Sequence, residues 1–92
     1  MKIKELLAKP GAWTRYEYAR TATGLPCSAT SRQAVCWCLR GAVLYCYDTE
    51  TKRLNVLDKL ESAVKGGFVV SYNDAPERTH AEILALVEKL DV

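Results

Sequence analysis

The clearest periodic signal lies near the end of the chain. Ile83, Leu86, Val87 and Leu90 recur at helical spacing and form one apolar stripe, with polar residues between them. Thr79-His80-Ala81-Glu82 fits the S/T-x-x-E capping box, so a helix is predicted over 79–90. Leu54, Leu57, Leu60 and Val64 predict a helix over 52–65, stopped by Gly66-Gly67. Between Val35 and Cys46 almost every position is apolar, which a helix shows when it is buried on most sides. A central helix over 32–47 follows, capped by Thr30 or Ser31, with Arg32, Gln33 and Arg40 at its wet edge. Gly41 falls inside it and costs up to ~1 kcal/mol against Ala, so another backbone should approach there. Ile3 to Ala8 predicts a short helix ended before Pro10-Gly11.

Two stretches favour extended structure. Residues 13–20 mix aromatics and Thr with polar side chains, and Phe68-Val69-Val70-Ser71-Tyr72 is rich in β-formers. They are expected to pair as a minor antiparallel sheet, with a short hairpin around Gly24 and a turn at Asn73-Asp74-Ala75-Pro76. The expected fold is α+β: one mostly helical domain over residues 1–92, its central buried helix packed by two or three others.

Composition narrows the function classes. Net charge is +2, too small to imply nucleic acid or an acidic partner. Charge is unevenly spread: residues 1–46 hold seven Lys/Arg against two Asp/Glu, giving +5, while residues 47–92 hold six against nine, giving −3. The opening MKIKELLAKPGAW lacks the apolar core of a secretory leader, and the apolar run from Ala34 to Tyr47 is interrupted by Arg40 and too short for a bilayer. A cytoplasmic protein with no membrane contact and reduced thiols is expected.

Candidate chemistry is sparse. On a helix Cys36 and Cys38 point about 200° apart and cannot share a metal, and Cys46 lies two turns beyond. The cysteines therefore read as core residues, and no metal or cofactor is expected. The cluster Asn73, Asp74, Glu77, Arg78 and His80 crowds the start of the last helix. An anion could sit there, but Glu82 occupies the helix donors and Asp74 is placed to pair with Arg78. Trp13, Arg15, Tyr16, Tyr18, Arg20 and Arg32 interleave cations with aromatics, a pattern that suits stacking on nucleic acid. A hydrolase or transferase would use His80 with Asp74 or Cys27.

Ala34-Val35-Cys36-Trp37-Cys38-Leu39-Arg40-Gly41-Ala42 and the stretch Tyr72 to Leu86 resemble the motifs of a family of small proteins found in bacteria and their phages. That family carries a W-C-x-x-G-A helix and a W-N-D-x-P-x-R-T-x-x-E-V-L-x-L-L ending. Tyr72 stands where the family often has Trp. By order of elements the resemblance covers most of the chain. The family has no assigned activity, so the resemblance implies a phage- or prophage-borne accessory protein and not a mechanism.

The leading expectation is a non-enzymatic protein that binds another protein through Trp13, Arg15, Tyr16 and Arg20, or through the Asn73, Asp74, Arg78 and His80 turn. Nucleic-acid binding through the same aromatic segment is the alternative, and the hydrolase or transferase reading comes third. Oligomeric state is left open. Asn73 and Asp74 together are the first place to look, because a turn needs only one such residue.

Overall fold

Leu39, Ala42 and Val43 lie fully buried in one cluster with Ile3, Leu7, Leu60, Ile83 and Val87. The computed structural model describes residues 1–92. Its elements are α1 (Ile3–Leu6), a 3-10 turn (Pro10–Ala12), β1 (Ala19–Thr21), β2 (Pro26–Cys27), β3 (Ala34–Trp37), α2 (Leu39–Cys46), α3 (Glu50–Ala63), α4 (Val69–Asp74) and α5 (His80–Leu90). Five helices and a small antiparallel sheet of order β2-β1-β3 make the fold α+β.

The central helix exists at half its expected length. α2 packs against α1, α3 and α4 and buries Leu39, Gly41, Ala42 and Val43. Residues 34–37 instead form β3, pairing antiparallel with β1 through Ala19↔Trp37 and Arg20↔Cys36. Val35 is exposed and Trp37 buried although positions two apart share a face of a regular strand; the register shifts between Arg20 and Thr21 and leaves Val35 without a partner, as a bulge does. An apolar run with β-branched and aromatic residues supports either state, and here a strand partner decides. Ser31 and Thr30 do not cap a helix; the Ser31 hydroxyl accepts from the Gln33 N–H (3.1 Å) within a turn. The cap of α2 is Cys38, whose sulfur accepts from the Gly41 N–H at 3.3 Å.

Gly41 has the expected reason. A Cβ there would overlap the Tyr18 carbonyl oxygen and lie 2.7 Å from its carbonyl carbon. The same Tyr18 oxygen accepts from the Cys38 N–H at 3.3 Å. The backbone of residues 16–18 is thus pressed against the start of α2.

The expected sheet between 13–20 and 68–72 does not form. Residues 69–74 are helix α4, with Val69 and Asn73 buried and Tyr72 half-buried between them. Those three positions follow 3–4 spacing, a helical pattern that outweighs the β-propensity of Phe-Val-Val. Asn73 and Asp74 close this helix rather than make a turn. The hairpin at Gly24 does form, with Gly24 at φ +86 and its N–H on the Thr21 carbonyl at 2.9 Å. Trp13 and Thr14 extend the sheet's reach on its far side, where Thr14 N–H donates to the Trp37 carbonyl at 3.1 Å.

α3 starts two residues earlier than expected, where the Thr49 hydroxyl accepts from the Lys52 N–H. It buries Val56 and Leu60, while Leu54, expected in the stripe, points to solvent. α5 carries the expected capping box in full: Thr79 N–H donates to Glu82 Oε1 at 3.0 Å and Glu82 N–H to Thr79 Oγ1 at 3.3 Å. No helix is long and apolar enough to cross a membrane.

Candidate functional site: a cleft beside Tyr16 and Tyr18

Asn73 explains why the segment 13–18 lies where it does. Its Oδ1 accepts the Trp13 indole N–H at 2.7 Å and the Leu39 backbone N–H at 3.0 Å. Its Nδ2 donates to the Thr14 carbonyl at 3.1 Å and to Asp74 Oδ1 at 2.9 Å. A carboxamide offers two donors and two lone pairs, and all four are used. The side chain is 1% exposed, so each of these bonds replaces water that cannot reach it.

Asp74 carries the fixation one step further. Its Oδ1 also accepts the Tyr16 backbone N–H at 3.0 Å. Tyr16 sits there at φ +71, the left-handed region that costs a residue with a side chain roughly 1–2 kcal/mol. Anchors just before it in the chain help to hold that conformation. Trp13 is bound to Asn73, and the Arg15 guanidinium donates to the Arg78 carbonyl while lying 4.6 Å from the Trp13 ring centre. The Tyr16 ring is consequently displayed at the surface.

The result is a small cleft of about 140 Å³ between residues 16–18, the start of α2 and α4. Tyr16, Glu17, Tyr18, Cys38, Val70 and Asp74 line it. Val70 also borders a second depression with Phe68, Ser71, Arg40 and Glu61. Tyr16, Tyr18, Val70 and Phe68 are 65%, 50%, 44% and 72% exposed, so a strip of large apolar side chains runs from the cleft along α4. Burial raises the Cys38 thiol above its ordinary range, partly offset by the Gly41 and Arg40 N–H groups, so it contributes no charge at neutral pH.

Two of the eight residues singled out in the sequence, Tyr16 and Asp74, line this cleft. The others are committed internally. Trp13, Asn73 and Arg15 are bonded as above. Arg20 donates to the Thr14 hydroxyl at 3.1 Å, the Gly24 carbonyl at 3.0 Å and the Arg15 carbonyl at 3.2 Å. The anticipated Asp74–Arg78 pair is absent: Arg78 donates to the Tyr72 carbonyl, lies 3.7 Å from that ring's centre, and pairs with Glu82 at 2.9 Å. His80 is half-buried rather than solvated. Its Nε2 contacts the Leu7 carbonyl at 2.7 Å, so that nitrogen must carry the proton, and its ring leans on Trp13. No hydrogen bond joins His80 to Asp74 or Cys27.

Cys36 and Cys38, expected within a helix, do not lie in one. Cys36 lies half-buried on β3, Cys38 is the buried cap of α2, and Cys27 and Cys46 are half-buried; all four are free thiols. Burial pushes Cys46 up to about 11.

Sequence reasoning missed Phe68 and Val70 because it placed 68–72 in a strand, and missed Glu17 because nothing local marks it. The signal for the first two was available: inward Val69, Tyr72 and Asn73 leave Phe68 and Val70 on the outer face of a helix.

No curated protein and no solved structure matches the chain. The family of unknown function DUF6197 matches residues 2–90, which spans both stretches in which the family resemblance was seen. The chain therefore belongs to that family of unknown function.

Proposed function

We propose that this protein is a small non-enzymatic interaction module that docks another protein on the strip formed by Tyr16, Tyr18, Val70 and Phe68. The observation that carries this reading is the exposure of those four side chains beside one another on a rigid frame. Tyr and Phe are enriched at the centres of protein interfaces, and exposed apolar surface of this kind is a docking feature more often than a neutral one. The frame lowers the ordering cost of binding, because Trp13, Asn73 and Asp74 already fix the Tyr16 backbone.

The same geometry weighs against nucleic acid. Arg15, Arg20 and Arg78 each donate to the protein's own carbonyls, and Lys2 and Lys4 pair with Asp91. Of the seven cations in residues 1–46, Lys2, Lys4, Arg15 and Arg20 are thereby engaged within the protein, which leaves Lys9, Arg32 and Arg40 exposed, few for a phosphate-binding face. An accessory role in a phage or prophage setting remains part of this reading, on the family resemblance alone.

Site-specific photocrosslinking tests it. A photoreactive residue at Tyr18 or Phe68 should give one discrete crosslinked partner in expressing cells, while the same residue at Lys59 or Ala85, away from the strip, should not. Equal crosslinking from both sets of positions, or none from Tyr18 and Phe68, contradicts the reading.

A further inference from the structure

We propose that the cleft is a socket for one basic side chain, lysine or arginine, projecting from the docked partner; this rests on the docking reading above and gives it a chemistry. Glu17 and Asp74 both line the cleft, and neither forms an ion pair with any of the chain's thirteen Lys and Arg residues. The four ion pairs of the molecule are made by Asp48, Glu82 and Asp91, and among the unpaired acids Glu17 and Asp74 are the two that share a cleft. Asp74 uses only Oδ1 internally, on the Tyr16 and Asn73 N–H groups, which leaves Oδ2 for a donor from outside.

The remaining walls suit the same occupant. A cation is attracted to the faces of tyrosine rings within about 6 Å, and Tyr16 and Tyr18 line the same cleft as the carboxylates. Val70 and Cys38 supply apolar contact for the methylene stem of a long basic side chain. The protein already stacks its own guanidinium groups on aromatic rings at Trp13 and Tyr72, but both of those lie outside this cleft and are filled from within.

Other occupants fit worse. An anion would meet two carboxylates. An apolar plug would cover Glu17 and Asp74 and strip them of water without giving them a partner, which costs more than the added apolar contact returns. A basic side chain satisfies both groups, and the partner surface around it can then lie on Phe68 and Val70.

The test is a chemical-shift titration of the full chain with n-butylammonium and ethylguanidinium as stand-ins for the two side chains, and butyrate as the anionic control at equal ionic strength. At least one cation should shift the Tyr16, Glu17, Tyr18 and Asp74 amides saturably, with a Kd on the order of 10 mM for so small a fragment. Butyrate should not. Glu17→Gln should weaken that binding at least fivefold, and Asp74→Asn should weaken it while keeping an oxygen for the Tyr16 N–H. No saturable shift with either cation, or an equal response to butyrate, overturns the socket. Loss of the socket with crosslinking still confined to Tyr18 and Phe68 would leave the docking reading standing, so the two can fail separately.

Discussion

Asn73 and Trp13, sixty residues apart in sequence, are joined by a 2.7 Å hydrogen bond from the indole N–H to the side-chain oxygen. The same oxygen takes the Leu39 N–H, so one carboxamide fixes the aromatic segment, the start of α2 and the end of α4 together. The Asn73-Asp74 pair is thus divided in role: Asn73 is buried and structural, and Asp74 reaches from it to the surface of the cleft.

Removing the carboxamide should be costly. Asn73→Ala leaves the Trp13, Leu39 and Thr14 groups without a partner and should lose about 3 kcal/mol or more in urea unfolding. Asn73→Asp is nearly isosteric but replaces a donor with a second carboxylate beside Asp74. Burial and that neighbour raise the new group's folded pKa above its unfolded value of about 4. Its favourable contribution is therefore present at low pH and lost as pH rises through the folded pKa. The variant should approach wild-type stability near pH 4 and fall clearly below it at pH 7.5; a pH-independent difference contradicts this.

Gly41→Ala sets two effects against each other. Alanine favours a helix interior by about 1 kcal/mol over glycine. Its Cβ would overlap the Tyr18 carbonyl, which is backbone and cannot swing aside. Overpacking should win, with a net loss of about 2 kcal/mol or more. A variant as stable as the wild type would mean that residues 16–18 do not press on α2.

What could be read from the sequence tracks the range of the forces involved. The capping box at Thr79 and Glu82 needs only four consecutive residues, and it is present as read. The close approach at Gly41 was also legible, because glycine inside an apolar helix has few other uses. The split of residues 32–47 into β3 and α2 was not legible, since it depends on a partner strand at 19–21. The role of Asn73 was hidden for the same reason: three of its four partners lie more than thirty residues away. The candidate site suffered most. Arginines next to aromatics look like a binding surface in sequence, and only the fold shows that their donors turn inward.

Acid should loosen the junction of the two chain ends. Asp91 bridges Lys2 at 2.8 Å and Lys4 at 2.6 Å, and hydrogen bonds from these lysines hold its carboxyl down at about 2. A depressed folded pKa stabilises above the unfolded value of about 4 and stops doing so as pH falls through about 2. Asp91→Asn keeps a residue that tolerates the left-handed cap at φ +57 but removes the charge. The wild type should be more stable than this variant at pH 6, and the difference should vanish between pH 4 and 2. An unchanged difference at pH 2 contradicts the bridge.

Thiol labelling offers an independent check on packing. With Cys46 held at about 11, only about one molecule in a thousand carries its thiolate at pH 8. Cys38 is shifted in the same direction by burial. Iodoacetamide should spare both in the folded protein and modify both in urea, read by mass spectrometry of the peptides. Rapid native labelling of Cys46 would contradict its environment.

The most direct measurement compares two variants against the partner captured by the wild type. Tyr18→Ser combined with Phe68→Ser changes only exposed side chains, so its melting temperature should stay close to wild type while the partner is lost. Asp91→Asn, whose ion pairs with Lys2 and Lys4 lie outside the cleft, should show the opposite at pH 6, a lower melting temperature with the partner retained while the protein is folded. Retention of the partner by the folded Tyr18→Ser, Phe68→Ser protein would contradict the assignment of this surface.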